Sequence, residues 1–126
     1  GIAVKDLSNS NKLFAALLGR ENYKIEEVAS ESVTTSFFNV NDTKIELLAA
    51  TSDQGPISKF IEKKGEGIHH IAFEVEDIYE AIKELKAEGF TFINEEPKQG
   101  ADNKLICFVH PKTSNGVLVE LCQSIK

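Results

Sequence analysis

Three residues of this chain carry the chemistry worth following: His70, Glu46 and Glu120. His70 ends the run Glu66-Gly67-Ile68-His69-His70, just ahead of Ile71-Ala72-Phe73-Glu74-Val75. Apolar residues at Ile71, Phe73 and Val75 alternate with others, the period-two pattern of a strand with one packed face. His70, Ala72 and Glu74 then share the more polar face, while His69 falls on the packed side. Alternation thus offers one imidazole of the tandem pair to a site. Such a pair alone is more often two half-buried strand histidines than a ligand. Glu46 and Glu120 stand in matching segments, Lys44-Ile45-Glu46-Leu47 and Leu118-Val119-Glu120-Leu121. Their apolar neighbours face the other way, so both carboxylates are expected on the open face that carries His70.

The elements that must position these residues form a unit written twice. Gly1 to Val4 reads as the end of a strand, and Asp6 or Ser8 can cap a helix carrying Leu13, Phe14, Leu17 and Leu18 until Gly19 stops it. Strands are expected at Tyr23 to Ala29, Val33 to Val40 and Thr43 to Ala49, with a tight turn at Asn41-Asp42. The polar segment 51–66 reads as a linker in which Pro56 opens a short helix with Ile57, Phe60 and Ile61 on one face. The pattern then restarts with strand His69 to Val75, a helix opened by Asp77 and striped by Ile78, Ile82 and Leu85, and Gly89 as its stop. Strands follow at Phe90 to Asn94, Lys104 to His110 and Val117 to Cys122.

A shift of 71 lays Val4, Asp6, Leu7 and Lys12 on Val75, Asp77, Ile78 and Lys83, and a shift of 74 lays Glu46 on Glu120. The second copy therefore carries three extra residues in its loops (74 − 71). The expected architecture is α+β: two βαβββ modules forming a curved mixed sheet with helices on the outer face. It is a single domain, with module one at about 1–50, linker 51–66 and module two at about 67–123. Two copies of one unit imply a pseudo-twofold arrangement. The repeat places the partner of His70 two residues ahead of Gly1, so the chain is expected to continue upstream. Two imidazoles and two carboxylates make an N/O donor set suited to a divalent transition metal with positions left open. Cobalt, nickel, manganese and zinc are not distinguished by such donors.

Composition narrows the classes. With 126 residues, 41% hydrophobic and 27% charged, the chain fits one ordinary globular domain. A net charge of -6 and the lack of a basic face argue against a nucleic-acid partner. No apolar run approaches the roughly 20 residues of a membrane span. Cys107 and Cys122 show neither zinc spacing nor a disulfide framework, so reduced thiols in the cytoplasm are the simplest reading.

The sequence closely resembles the vicinal oxygen chelate superfamily, and within it the methylmalonyl-CoA epimerase family, over essentially its whole length. The resemblance rests on Gly1-Ile2-Ala3-Val4-Lys5-Asp6-Leu7, Thr43-Lys44-Ile45-Glu46-Leu47-Leu48, Gly65 to Phe73, Asn94-Glu95-Glu96-Pro97-Lys98, His110-Pro111-Lys112 and Gly116 to Leu121. It implies metal ligands at Glu46, His70 and Glu120, with a fourth, a histidine, two residues ahead of Gly1. It also implies epimerisation of the (R) and (S) forms of methylmalonyl-CoA through a metal-stabilised enolate. Glu120 would act as one acid/base group. The opposing base is not evident around Thr34-Thr35-Ser36, which leaves Glu46 or another group. Lys98, Lys104 and Lys112 lie in loops where they could meet the phosphates of an acyl-coenzyme A substrate, although a loop lysine is more often a solvated surface residue. His110 is expected to shape its turn, and Cys122 to be a small filler. A homodimer is expected. The competing readings are a glyoxalase-type lyase acting on a glutathione hemithioacetal and a metal-free binding protein on the same scaffold. An extradiol dioxygenase fits poorly, because a fourth protein ligand leaves too little room for oxygen and a catechol.

Overall fold

In the computed structural model, which describes residues 1–125, the elements run β1 (Ile2–Ala3), α1 (Leu7–Leu18), β2 (Lys24–Val28), β3 (Val33–Val40), β4 (Thr43–Ala50), α2 (Pro56–Lys64) and β5 (Gly67–Ile68). They continue with β6 (Ile71–Glu74), α3 (Ile78–Ala87), β7 (Lys98–Gln99), β8 (Lys104–Val109) and β9 (Val119–Ser124). Contacts divide the chain into two units, Gly1–His69 and the part from His70 onward.

In the first unit Asp6 accepts the Asn9 backbone N–H at 3.1 Å and opens α1, and Gly19 closes it at φ 71°. A residue with a β-carbon would be strained there. The sheet order is β2-β3-β4-β1-β5, with β1 parallel to β4 and the other pairs antiparallel. One face packs Val4, Phe38, Leu47 and Ala49 under Leu7, Phe14, Ala15 and Leu18. On the other face Ala3, Val33 and Leu48 meet Ile57 of α2, with Phe60 and Ile61 alongside. This second cluster covers only part of its face. Strand alternation puts Lys44 and Glu46 on the same side as Leu48, beyond the residues that α2 packs.

The second unit repeats the plan. Asp77 accepts from the backbone N–H of Tyr79 and Glu80 and opens α3. The sheet order is β6-β9-β8-β7, with β6 parallel to β9. Ile78 and Ile82 of α3 pack on Cys107, Val109 and Leu121. The registers match across the repeat. Ile2 pairs with Leu47, and Phe73, 71 positions later, pairs with Leu121, 74 positions later. Phe37 faces Glu46, and Phe108 faces Glu120 at the same two shifts. The extra residues therefore lie between β8 and β9. Pro111–Thr113 forms a short 3-10 turn there, where Asn41-Asp42 suffices between β3 and β4.

Three expectations are corrected. The strand expected from His69 is broken: Gly67–Ile68 pairs with β1, and pairing resumes at Ile71 in the other sheet. Ile71 and Phe73, expected on a packed face, are 43% and 55% exposed, because β6 is an edge strand and α3 packs over β8 and β9. The strand expected at Phe90 to Asn94 reduces to a bridge between Phe92 and Val109. Asn94 Nδ2 donates to the Glu96 carbonyl at 3.0 Å, a local turn that competes with ladder pairing, and β7 forms only after Pro97.

Candidate metal and acid-base site

Two hydrogen bonds anchor β6 along β9: Ile71 N–H donates to Leu118 O at 3.1 Å, and Val75 N–H to Cys122 O at 2.8 Å. The parallel register sets Ala72 beside Glu120. His70 precedes Ala72 by two positions and Ala72 has only a methyl group, so imidazole and carboxylate approach each other freely. His70 Nε2 lies 4.0 Å from Glu120 Oε1. His70 is 7% exposed and the Glu120 side chain 13%. Phe108 is the register partner of Glu120 on β8, and its ring meets that of His70 edge to face with centroids 5.9 Å apart.

A carboxylate drawn out of solvent is stabilised by positive charge nearby, and the imidazole of His70 is one titratable group beside Glu120. The carboxylate's field reaches Cys107 on the far face of the sheet. Burial first, and the Glu120 charge second, push that thiol from its ordinary 9.0 up to about 11.

Glu46 lies in the first unit, half-buried on β4, in the cross-strand row Lys24–Phe37–Glu46. His69 turns away from this chemistry: its ring meets Phe60 of α2 edge to face at 5.0 Å, and its N–H donates to Gly1 O at 2.7 Å. Burial holds its imidazole below the ordinary histidine value. His110 shapes its turn as expected, with Nδ1 accepting the Lys112 N–H at 3.1 Å. Lys98 and Lys112 are exposed, on β7 and in the 3-10 turn. Lys104 Nζ donates to Glu74 Oε2 and to Ser124 Oγ, each at 2.7 Å. Alternation already puts Ala72 on the face of His70, whereas nothing in the pattern singles out Phe37 and Phe108, although the shift of 71 that aligns the modules carries Phe37 onto Phe108.

Among the described residues no group of three or more His, Cys, Asp or Glu side chains is placed to enclose an ion. The pair that does meet, a buried imidazole and a carboxylate 13% exposed, has donor types that a divalent transition metal accepts. Two strands of parallel register in each βαβββ unit, with the carboxylate on the last strand, define a class. The chain belongs to the Glyoxalase/Bleomycin resistance protein/Dioxygenase superfamily, which residues 1–108 match. Its relatives are more specific. It is 43% identical over 121 residues to the mitochondrial methylmalonyl-CoA epimerase of Dictyostelium discoideum, covering 95% of this chain and 73% of that protein. It is also 43% identical to an ethylmalonyl-CoA/methylmalonyl-CoA epimerase of Cereibacter sphaeroides, covering 97% and 92%. A solved methylmalonyl-CoA epimerase in complex with methylmalonyl-CoA and NH4+ superimposes with a TM-score of 0.93 at 32% identity, covering 98% of this chain and 90% of that one.

Proposed function

We propose that this chain interconverts the (R) and (S) forms of methylmalonyl-CoA by removing the proton between carboxylate and thioester and returning it on the other face. The close approach of His70 and the largely shielded Glu120 is the observation that supports this most directly, beside relatives that carry the same activity in their names. Glu120 takes or returns the proton on one face of the planar enolate, and Glu46 is the group proposed for the other. His70 keeps the Glu120 carboxylate in place, and the edge of Phe108 limits the imidazole's swing. A divalent ion held by His70, Glu120 and Glu46 would supply Lewis-acid stabilisation of the charge developing on the substrate oxygens, worth several kcal/mol.

Lys98 and Lys112 are proposed to meet the coenzyme A phosphates. Lys104 belongs to the same proposal, with part of its charge answered by Glu74. The reading includes a reducing, cytoplasmic setting, which the two free cysteines suit, and a homodimer. Leu13 and Leu17 of α1 support the dimer. They are 60% and 70% exposed, whereas the matching positions are Glu84 of α3 and Glu88 at its C-terminal end. The fold does not require leucine there, and covering two such exposed side chains would favour association. No helix among the described residues is long and apolar enough to cross a membrane.

Incubation in D2O with methylmalonyl-CoA should place deuterium at the substrate's C2. Absence of exchange, or turnover of a glutathione hemithioacetal instead, would overturn the assignment.

A further inference from the structure

Phe37 is fully buried, yet it belongs to neither apolar cluster of its unit. Beside the tilted ring of Tyr23, two ammonium groups meet it: Lys24 Nζ lies 5.1 Å and Lys44 Nζ 5.3 Å from the ring centroid. The lysines come from strands on either side of β3 and converge on one aromatic, although like charges repel. Glu26 lies 3.2 Å from Lys24. The second module provides a control. Phe108 occupies the place of Phe37, but the position matching Lys44 is Leu118 (44 + 74), and the ring is met by His70 instead. The βαβββ plan therefore does not require lysines around this phenylalanine. Lys24, Phe37 and Glu46 form one cross-strand row, and Lys44 stands two residues ahead of Glu46 on the same face of β4.

We propose that Lys24 and Lys44, held over Phe37, bind an anionic group of the acyl-CoA substrate, a carboxylate or a phosphate, and so set its position along the sheet relative to Glu46. The proposal rests on the epimerase reading. Cation–π contact with a desolvated ring restrains each ammonium before the ligand arrives, so less side-chain entropy is lost on binding. A chain of net charge -6 gains most from such a local positive pair, because its wider field disfavours an anionic substrate.

The test is the double variant Lys24→Met/Lys44→Met, which keeps the apolar stems over Phe37 and removes the charges. KM for methylmalonyl-CoA should rise about ten-fold with kcat little changed, the loss expected for a charge-assisted contact. Coenzyme A binding by calorimetry and turnover of the methylmalonyl thioester of pantetheine, which lacks the phosphates, separate the two sources. A KM penalty that disappears with the pantetheine ester, with weakened coenzyme A binding, assigns a phosphate. A penalty kept on both esters assigns the carboxylate. Unchanged KM on both esters with unchanged coenzyme A affinity overturns the proposal and leaves the lysines as a cover for Phe37. Failure of the unsubstituted protein to turn over either ester would instead overturn the epimerase reading. In that case the carboxylate contact falls with the epimerase reading and coenzyme A affinity decides the phosphate contact: weaker binding by the variant supports it, and unchanged binding rejects it.

Discussion

His70 Nε2 stands 4.0 Å from Glu120 Oε1, with both side chains almost shut off from solvent. Neither substitution at this pair is therefore neutral. His70→Ala and Glu120→Gln should each lower epimerase turnover by about 10²–10⁴-fold, the usual contribution of a positioned acid/base group. Deuterium uptake at C2 measures this, and metal analysis of the same preparations should show less bound divalent ion. Activity within a factor of two of the parent would remove the pair from the chemistry.

Phe108→Leu keeps an apolar side chain but loses the edge that abuts the imidazole. The expected result is a roughly ten-fold drop in kcat with KM nearly constant, since misplacement of a catalytic group falls on the chemical step. An equal change in both parameters would point to general loosening of the sheet.

Leu47 and Leu121 occupy equivalent places, beside Ile2 and Phe73, and both are buried. Truncating either to alanine should cost about 2–5 kcal/mol in urea unfolding. Similar values in the two modules would match their common packing plan, and a cost under about 1 kcal/mol at either would contradict the burial.

The Cys107 thiol rises from 9.0 to about 11 in the folded chain. The unfolded chain loses this proton first, so the contribution to stability is whole below pH 9.0 and is lost as pH climbs through about 11. The urea midpoint should fall across that interval, and Cys107→Ala should flatten this part of the slope whatever its own starting stability.

Much of this was legible in the residues themselves. Asp6 and Asp77 announce two helices because a short carboxylate satisfies the first backbone N–H groups in each case. The duplicated Val-x-Asp and Ile-Glu-Leu/Val-Glu-Leu segments anticipated the two matching ladders. What escaped depends on neighbours rather than on pattern. Alternation through His69 to Val75 reads as one strand, yet a strand exists only where a partner supplies hydrogen bonds, and the partner changes between Ile68 and Ile71. The role of Phe108 was hidden for the same reason. A phenylalanine in a strand looks like core until its cross-strand partner is known to be a carboxylate.

Three residues gained by one hairpin make the second module more than a copy of the first. The turn at Pro111–Thr113, with Lys112 at its middle, has no counterpart at Asn41-Asp42. A loop at the end of a ladder can vary while the ladder itself is kept, so duplication leaves such places open to divergence.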